Sequence, residues 1–223
     1  MEKIDYSYET VQTCIENFNK YEELKESVLT KAFSGAPNTD LETVLIRVTL
    51  LNTFYSTRLN NNAIKKPVDE DGKKHKKHID VESMAKHIAK NPNLDVWIKS
   101  QNEDEQLMAF DYIATELSEY KTDNHYAASS FASKYCSWCN PESFPIMDSY
   151  SRGMLYRVNA EIDTPFYTGR LSQDGLRDYP VFRSAHRAFR AFLEREHNKL
   201  YSAKEIDKYL WYYGTQHPEV AIE

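Results

Sequence analysis

Asp148 follows Pro145-Ile146-Met147 and opens a run with helical spacing, so it stands where a helix should begin. An aspartate at such a position accepts backbone amides as an N-cap, and the helix dipole favours negative charge at that end. A carboxylate held in this way also suits a reaction in which positive charge develops on the substrate. Fourteen residues earlier, Lys134 lies near the end of another amphipathic run, one turn before the break at Asn140-Pro141. A lysine amine is a nucleophile when neutral and a partner for anions when charged. Two readings stand side by side: a cap with an exposed lysine, or two ends of one active site.

Other residue groups invite the same question. Cys136-x-x-Cys139 is half of a zinc site, but no second CxxC or HxxxH accompanies it, and three cysteines are all the chain has. On a helix the two share a face, where cysteine serves as a small apolar filler, so no metal is expected. His75-x-x-His78 is flanked by Lys73, Lys74, Lys76 and Lys77, whose charge repels a divalent cation. That segment reads as a solvated loop, and any role it has falls to Lys73 and Lys74 as phosphate contacts. Arg183, Arg187 and Arg190 recur at helical spacing. Such a stripe is either a solvated, ion-paired face or a row that meets a phosphate backbone.

Helical elements must position these groups. Thr39-x-x-Glu42 has the pattern of a capping box, and Leu41, Val44, Leu45, Val48, Leu51, Tyr55 and Leu59 follow on one stripe. Leu107, Phe110, Ala114 and Leu117 form another. Pro180 suits the first turn of a helix carrying Phe182, Ala185, Phe189 and Phe192. Ser202-x-x-Glu205 is a second capping box, ahead of Ile206, Tyr209, Leu210 and Tyr213. Strand signals are nearly absent, and residues 64–79 and 163–177 read as irregular, the first as a charged loop. The expected architecture is a single all-α domain over residues 1–223, of roughly eight to ten helices, arranged as one body or as two lobes.

Composition bounds the function. With 41% hydrophobic residues and sixteen tyrosines the chain has material for a real core. Only six glycines occur, and neither GxGxxG nor GxxxxGK[ST] is present, which argues against a glycine-rich nucleotide loop. The net charge of −6 repels nucleic acid overall, yet a local basic face still acts within a Debye length of roughly 8 Å. No run approaches the roughly 18 apolar residues of a membrane span, so a soluble, cytoplasmic, monomeric protein is expected.

The stretch "SKYCSWCNPESFPIMDSYSRGML" resembles the catalytic segment of the helix-hairpin-helix DNA glycosylases, in which a lysine-bearing helix is followed by a loop and an aspartate at a helix start. Lys134 falls on the lysine position and Asp148 on the aspartate. "ETVLIRVTLLNTFYSTRLNN" resembles the helix leading into that family's base pocket, and "AKEIDKYLWYYG" its closing helix. The resemblance implies a helix-hairpin-helix fold with the active site between two lobes, and double-stranded DNA carrying a damaged or modified base as partner. It implies excision of the flipped base, in repair or in defence against phages. Asp148 would stabilise the sugar cation, and either Lys134 or water would attack. Asn52, Tyr55, Tyr150 and Trp211 would hold the base, and Arg183, Arg187, Arg190, Lys73 and Lys74 would meet the DNA backbone. Ser130 and Ala132 stand where the family's hairpin has glycines, with Ser130 facing a phosphate. The four-cysteine cluster segment of some members is missing, so no cofactor is expected. The rival expectation is a non-enzymatic all-α nucleic-acid-binding or adaptor protein on the same scaffold.

Overall fold

Helices account for almost all of the regular structure. The computed structural model describes residues 3–55, 57, 63–65, 76–78, 80–118 and 125–222. Its helices are α1 (Tyr8–Phe33), α2 (Leu41–Phe54), α3 (Val81–Ala89), α4 (Leu94–Lys99), α5 (Glu103–Ser118), α6 (His125–Cys139), α7 (Ser149–Glu161), α8 (Tyr179–His197) and α9 (Ala203–Gln216). Short 3-10 turns occupy Gly175–Arg177 and Pro218–Val220. The all-α expectation holds, with one addition. Ala63–Lys65 (β1) and Lys76–His78 (β2) pair antiparallel, Ala63 opposite His78 and Lys65 opposite Lys76. The stretch read as a charged loop is thus closed at both ends by a short ladder, while Lys73, Lys74 and His75 lie outside the described residues.

The chain divides into two compact units. A central unit comprises Lys25–Asn140, and a terminal unit comprises Met1–Leu24 with Pro141–Glu223.

In the central unit α2 packs on α3 and α6, and α5 packs on α4 and α6. The buried residues of α2 follow the expected stripe at Val44, Val48 and Leu51, but the helix stops at Phe54, with Tyr55 as its C-cap. Leu59 lies outside the described residues. The start also differs. Asp40, not Thr39, is the N-cap, because Thr39 is taken up in a turn whose Asp40 amide donates to the Pro37 carbonyl at 3.2 Å. Asp40 then receives the Thr43 hydroxyl at 2.6 Å.

What fixes this turn is a buried guanidinium. Arg47 is 1% exposed. It donates from Nε to the Ala32 carbonyl (2.9 Å), from Nη2 to the Ala36 carbonyl (2.7 Å) and from Nη1 to Asn38 Oδ1 (2.7 Å). The same Asn38 oxygen accepts the Tyr135 hydroxyl at 2.6 Å. Asn38 in turn donates its backbone amide and its Nδ2 to the two oxygens of Asp95, each at 2.8 Å. One asparagine therefore joins the end of α1, the 34–40 connection, α2, α4 and α6.

In the terminal unit α7 packs on α8 and α9, and the 218–220 turn packs on α7 and α9. Two glycines permit the close approaches. A Cβ on Gly153 would lie 1.7 Å from the Val220 carbonyl oxygen, and one on Gly214 would lie 2.6 Å from Tyr150 Cβ. Pro180 sits in the first turn of α8, and Ser202 with Glu205 forms the capping box of α9, both as the sequence predicts.

The Asn38 junction yields a stability prediction. Asn38→Ala strands the Arg47 Nη1 and the Tyr135 hydroxyl and removes one of the two bonds to Asp95, and each unmet buried polar group costs about 1–3 kcal/mol. Unfolding in urea should show a loss of about 3 kcal/mol or more. A loss of a few tenths would mean that the junction is not what holds the turn.

Candidate functional site

The segment that delivers Asp148 is defined by chain breaks. Helix α6 ends at Cys139, and the Asn140 amide closes on the Cys136 carbonyl at 2.8 Å. Pro141 and Pro145 then bar helix, since proline lacks the amide and restricts the residue before it. Phe144, Pro145 and Met147 are buried, which draws the segment against its own unit. Asp148 is extended (φ −139°, ψ −178°) and caps α7, its Oδ1 accepting the Ser151 amide at 2.8 Å. Ser151 returns the bond, its Oγ accepting the Asp148 amide at 3.0 Å. The cap expected at this residue is present, with serine where a capping box more often has glutamate. Asp148 remains half-buried, and among the described residues its Oδ2 takes no hydrogen bond. The cap ties one oxygen, Oδ1.

A second carboxyl belongs to the same place. Asp207 of α9 is 8% exposed, and its Oδ2 accepts the Ile146 amide at 3.1 Å. Its Oδ1 lies 3.1 Å from Nε2 of His186 on α8, itself 1% exposed, at an ion-pair distance but out of line for a straight hydrogen bond. Burial pushes the Asp207 carboxyl up. His186 and the Ile146 amide oppose that rise, and the nearby Asp148 charge adds to it. Asp207 is not marked by the apolar period, because it sits beside the Ile206–Tyr213 stripe. The signal was a second buried row at helical spacing, Ala203, Asp207, Leu210 and Gly214, whose two small members mark a close contact.

Lys134 belongs to the central unit. It is 6% exposed, its Nζ donates to Ser130 Oγ at 2.6 Å, and it lies 5.5 Å from the Tyr55 ring centre. Lys25 Nζ lies 4.6 Å from the same ring, and Trp138 Nε1 donates to the Tyr55 hydroxyl at 3.1 Å. Asn52 is nearby in α2, its Oδ1 accepting the Thr57 hydroxyl at 2.9 Å. Lys134, Ser130 and Tyr55 are thus brought together. Asp148, Tyr150 and Trp211 are in the terminal unit, where Tyr150 packs on Gly214 and Trp211 meets Phe18 edge-on at 5.5 Å.

Two expectations are corrected. Helix α6 runs unbroken from His125 to Cys139, so no hairpin forms at Ser130–Lys134. Alanine and serine there carry helical backbone without the left-handed turn that glycine permits. The amides at Ser130 and Ala132 lie inside the helix and are not displayed to a phosphate. The arginine stripe on α8 also differs. Arg183 is 3% exposed, its guanidinium 5.9 Å from the Phe144 ring centre, so it does not present itself to DNA. Arg190 pairs with Glu142 (3.0 Å) and lies 3.9 Å from Glu194, while Arg187 is half-buried. The reason is that α8 buries Arg183 and His186 as well as its phenylalanines, a wider face than one stripe.

The paired cysteines behave as packing residues. Burial pushes both thiols up, Cys139 to about 12 against the opposing pull of Arg47 and Asn38. Among the described residues no three histidine, cysteine, aspartate or glutamate side chains form a group able to hold a metal ion. No helix among them is long and apolar enough to cross a membrane.

The raised Asp207 carboxyl gives a signed pH prediction. Its neutral form is favoured by folding, so its contribution to stability is fullest below the unfolded carboxylate value of about 3.9. That contribution is lost as pH rises through the higher folded value. Asp207→Asn does not titrate. Urea midpoints should therefore show the variant gaining on the native chain as pH rises from about 4, then levelling. A gap that narrows with rising pH would reverse the assignment.

Comparison with known proteins places the chain by its central unit. The family described as the HI_0787_N N-terminal domain matches residues 10–143, more than half of the chain. A Haemophilus influenzae protein named "Uncharacterized protein" is 28% identical over 183 residues, which cover 80% of this chain and 70% of that protein. No solved structure matches. The matched span holds Asn38, Arg47 and Lys134 and ends before Asp148. On that match, the chain belongs to the HI_0787_N N-terminal domain family.

Proposed function

We propose that this protein is a DNA glycosylase that removes a damaged or modified base flipped out of double-stranded DNA, with Asp148 as the reacting carboxylate. The observation that carries the reading is the state of Asp148. It is fixed by a reciprocal cap, half-buried, and leaves one oxygen without a hydrogen bond among the described residues. Breaking an N-glycosidic bond sends the bonding pair to the base and leaves positive charge on the sugar. A carboxylate aimed at that charge stabilises it without reorganising at the moment of reaction. Water then adds to the sugar carbon and gives its proton to Asp148, while the departing base takes a proton from solvent. The product is an abasic site.

Water is the nucleophile in this reading. Lys134 is 6% exposed and its amine is bonded to Ser130 Oγ, so it is not the attacking group. Extrusion of the base costs a few kcal/mol, which stacking on aromatic side chains offsets. Tyr150 and Trp211 of the terminal unit are the candidates. Repair of damaged bases and defence against modified phage DNA use the same chemistry.

A second reading is favoured by the unbroken α6. Without a hairpin at Ser130–Lys134, that segment offers no phosphate grip of the kind found in the glycosylases it resembles. On this reading it is a non-enzymatic nucleic-acid-binding or adaptor protein in which Asp148 is a cap alone. Asp148→Asn separates the two, because asparagine caps as well as aspartate but carries no charge. On a panel of damaged and phage-modified duplexes, abasic sites should form with the native chain. They should fall by about a hundredfold or more with the variant, at unchanged melting temperature. Excision that survives the substitution removes Asp148 from the chemistry, and no excision of any duplex favours the adaptor.

A further inference from the structure

The carboxylate at the head of α7 does not keep its place by its own cap alone. Ile146 lies two residues before Asp148 and is held at both of its polar groups. Its amide donates to Asp207 Oδ2 at 3.1 Å, and its carbonyl accepts the Ser151 hydroxyl at 3.1 Å. That hydroxyl is also the one that accepts the Asp148 amide at 3.0 Å. One residue earlier, the Pro145 carbonyl accepts the Tyr179 hydroxyl at 3.1 Å. Pro145 and Ile146, just ahead of Asp148, are therefore gripped from α7, α8 and α9. Only the grip from α9 is made by a carboxyl group.

A buried aspartate facing a buried histidine is a costly way to accept one amide hydrogen bond. Desolvation of such a pair offsets most of its attraction, and apolar residues of similar size often serve stability as well or better. The groups that face Asp207 are His186 from α8, the Ile146 amide from the connecting segment, and the charge of Asp148 at the start of α7. The last two belong to the same carboxylate-bearing segment.

We propose that Asp207, braced by His186, is a positioning residue for Asp148: it fixes the Ile146 amide and through it the backbone that aims the Asp148 carboxylate. Its consequence for catalysis rests on the glycosylase reading, but the geometry it asserts does not. A misplacement of about 1 Å at a reacting group can cost a hundredfold in rate, so a clamp two residues away has a functional lever. Asparagine at 207 still offers an oxygen to the Ile146 amide, and its NH2 faces the His186 ring nitrogen as a donor. Alanine offers nothing.

The test is amide hydrogen exchange by NMR on the full chain carrying Asp207→Ala, Asp207→Asn or His186→Gln. With Asp207→Ala, exchange of the Ile146 amide should rise at least tenfold more than that of α9 ladder amides such as Leu210, and the Ser151 amide signal should shift. Asp207→Asn should restore most of the Ile146 protection, and His186→Gln should fall between. If Asp207→Ala does not fold, the other two variants carry the comparison. A uniform rise across α8, α9 and Ile146, with no rescue by asparagine, would show Asp207 to be ordinary packing and overturn the proposal, as would unchanged exchange at Ile146. On any duplex that the native chain cuts, the alanine variant should lower kcat at least tenfold with KM unchanged, and asparagine should recover part of it. Where the native chain cuts none, the glycosylase reading fails while the exchange data still decide the clamp.

Discussion

A guanidinium taken out of water must have its donors met, and Arg47 sets that demand at the centre of the chain. Its five N–H donors are rigidly forked, so the acceptors have to come to it. They come from the end of α1 and from the 34–40 connection, as the carbonyls of Ala32 and Ala36 and the side chain of Asn38. Asn38 then passes the constraint on, to Asp95 at the first turn of α4 and to Tyr135 inside α6. A connection that runs over the surface is pinned inward at Asn38, whose side chain has its polar groups satisfied. The position of α6 follows, and with it Lys134 and the Tyr55 contact. The stretch that carries the family match contains this whole network.

The terminal unit solves a related problem with different groups. Its buried ionisable residues include Asp207 and His186 beside Arg152 and Arg183, and the acceptor capacity of the aspartate is used on a backbone amide. Two close approaches complete the arrangement, at Gly153 against Val220 and at Gly214 against Tyr150. The outcome is a short proline-bearing segment without regular structure that is nonetheless held on several sides. Rigid support of this kind is what a site needs when a single carboxylate must be aimed, because the supporting groups set the geometry before any substrate arrives.

Much of the fold was legible. Period and capping signals located α8 and α9 and the cap at Asp148, since those depend on neighbours within a turn. What could not be read depends on contacts far apart in sequence. Thr39 and Glu42 have a capping pattern, but the turn that Arg47 and Asn38 impose moves the cap to Asp40. Ser130 and Ala132 were matched to a hairpin by resemblance, while their own backbone preference is helical and prevailed. Periodicity gives α8 one buried face and leaves its arginines as an ion-paired face or a phosphate-meeting row, whereas α8 buries Arg183 and His186 besides. Asp207 was invisible for the same reason: a charge beside an apolar stripe reads as surface until the helix packed on its other side is known. Of the candidate site residues, Asp148 stood out because a helix start is a local event.

The account turns on whether the Asp148 carboxylate meets a sugar bearing positive charge. Binding to two duplexes tests this without any need to know which base is removed. One carries a cationic pyrrolidine ring in place of a sugar, as a mimic of the transition state, and the other carries a neutral tetrahydrofuran ring. Transition-state mimics bind at least about a hundredfold tighter than ground-state ligands when the site is built for the charge. The account predicts a strong preference for the cationic duplex in the native chain, lost in Asp148→Asn with the neutral duplex bound as before. Equal affinity of the native chain for the two duplexes would contradict it.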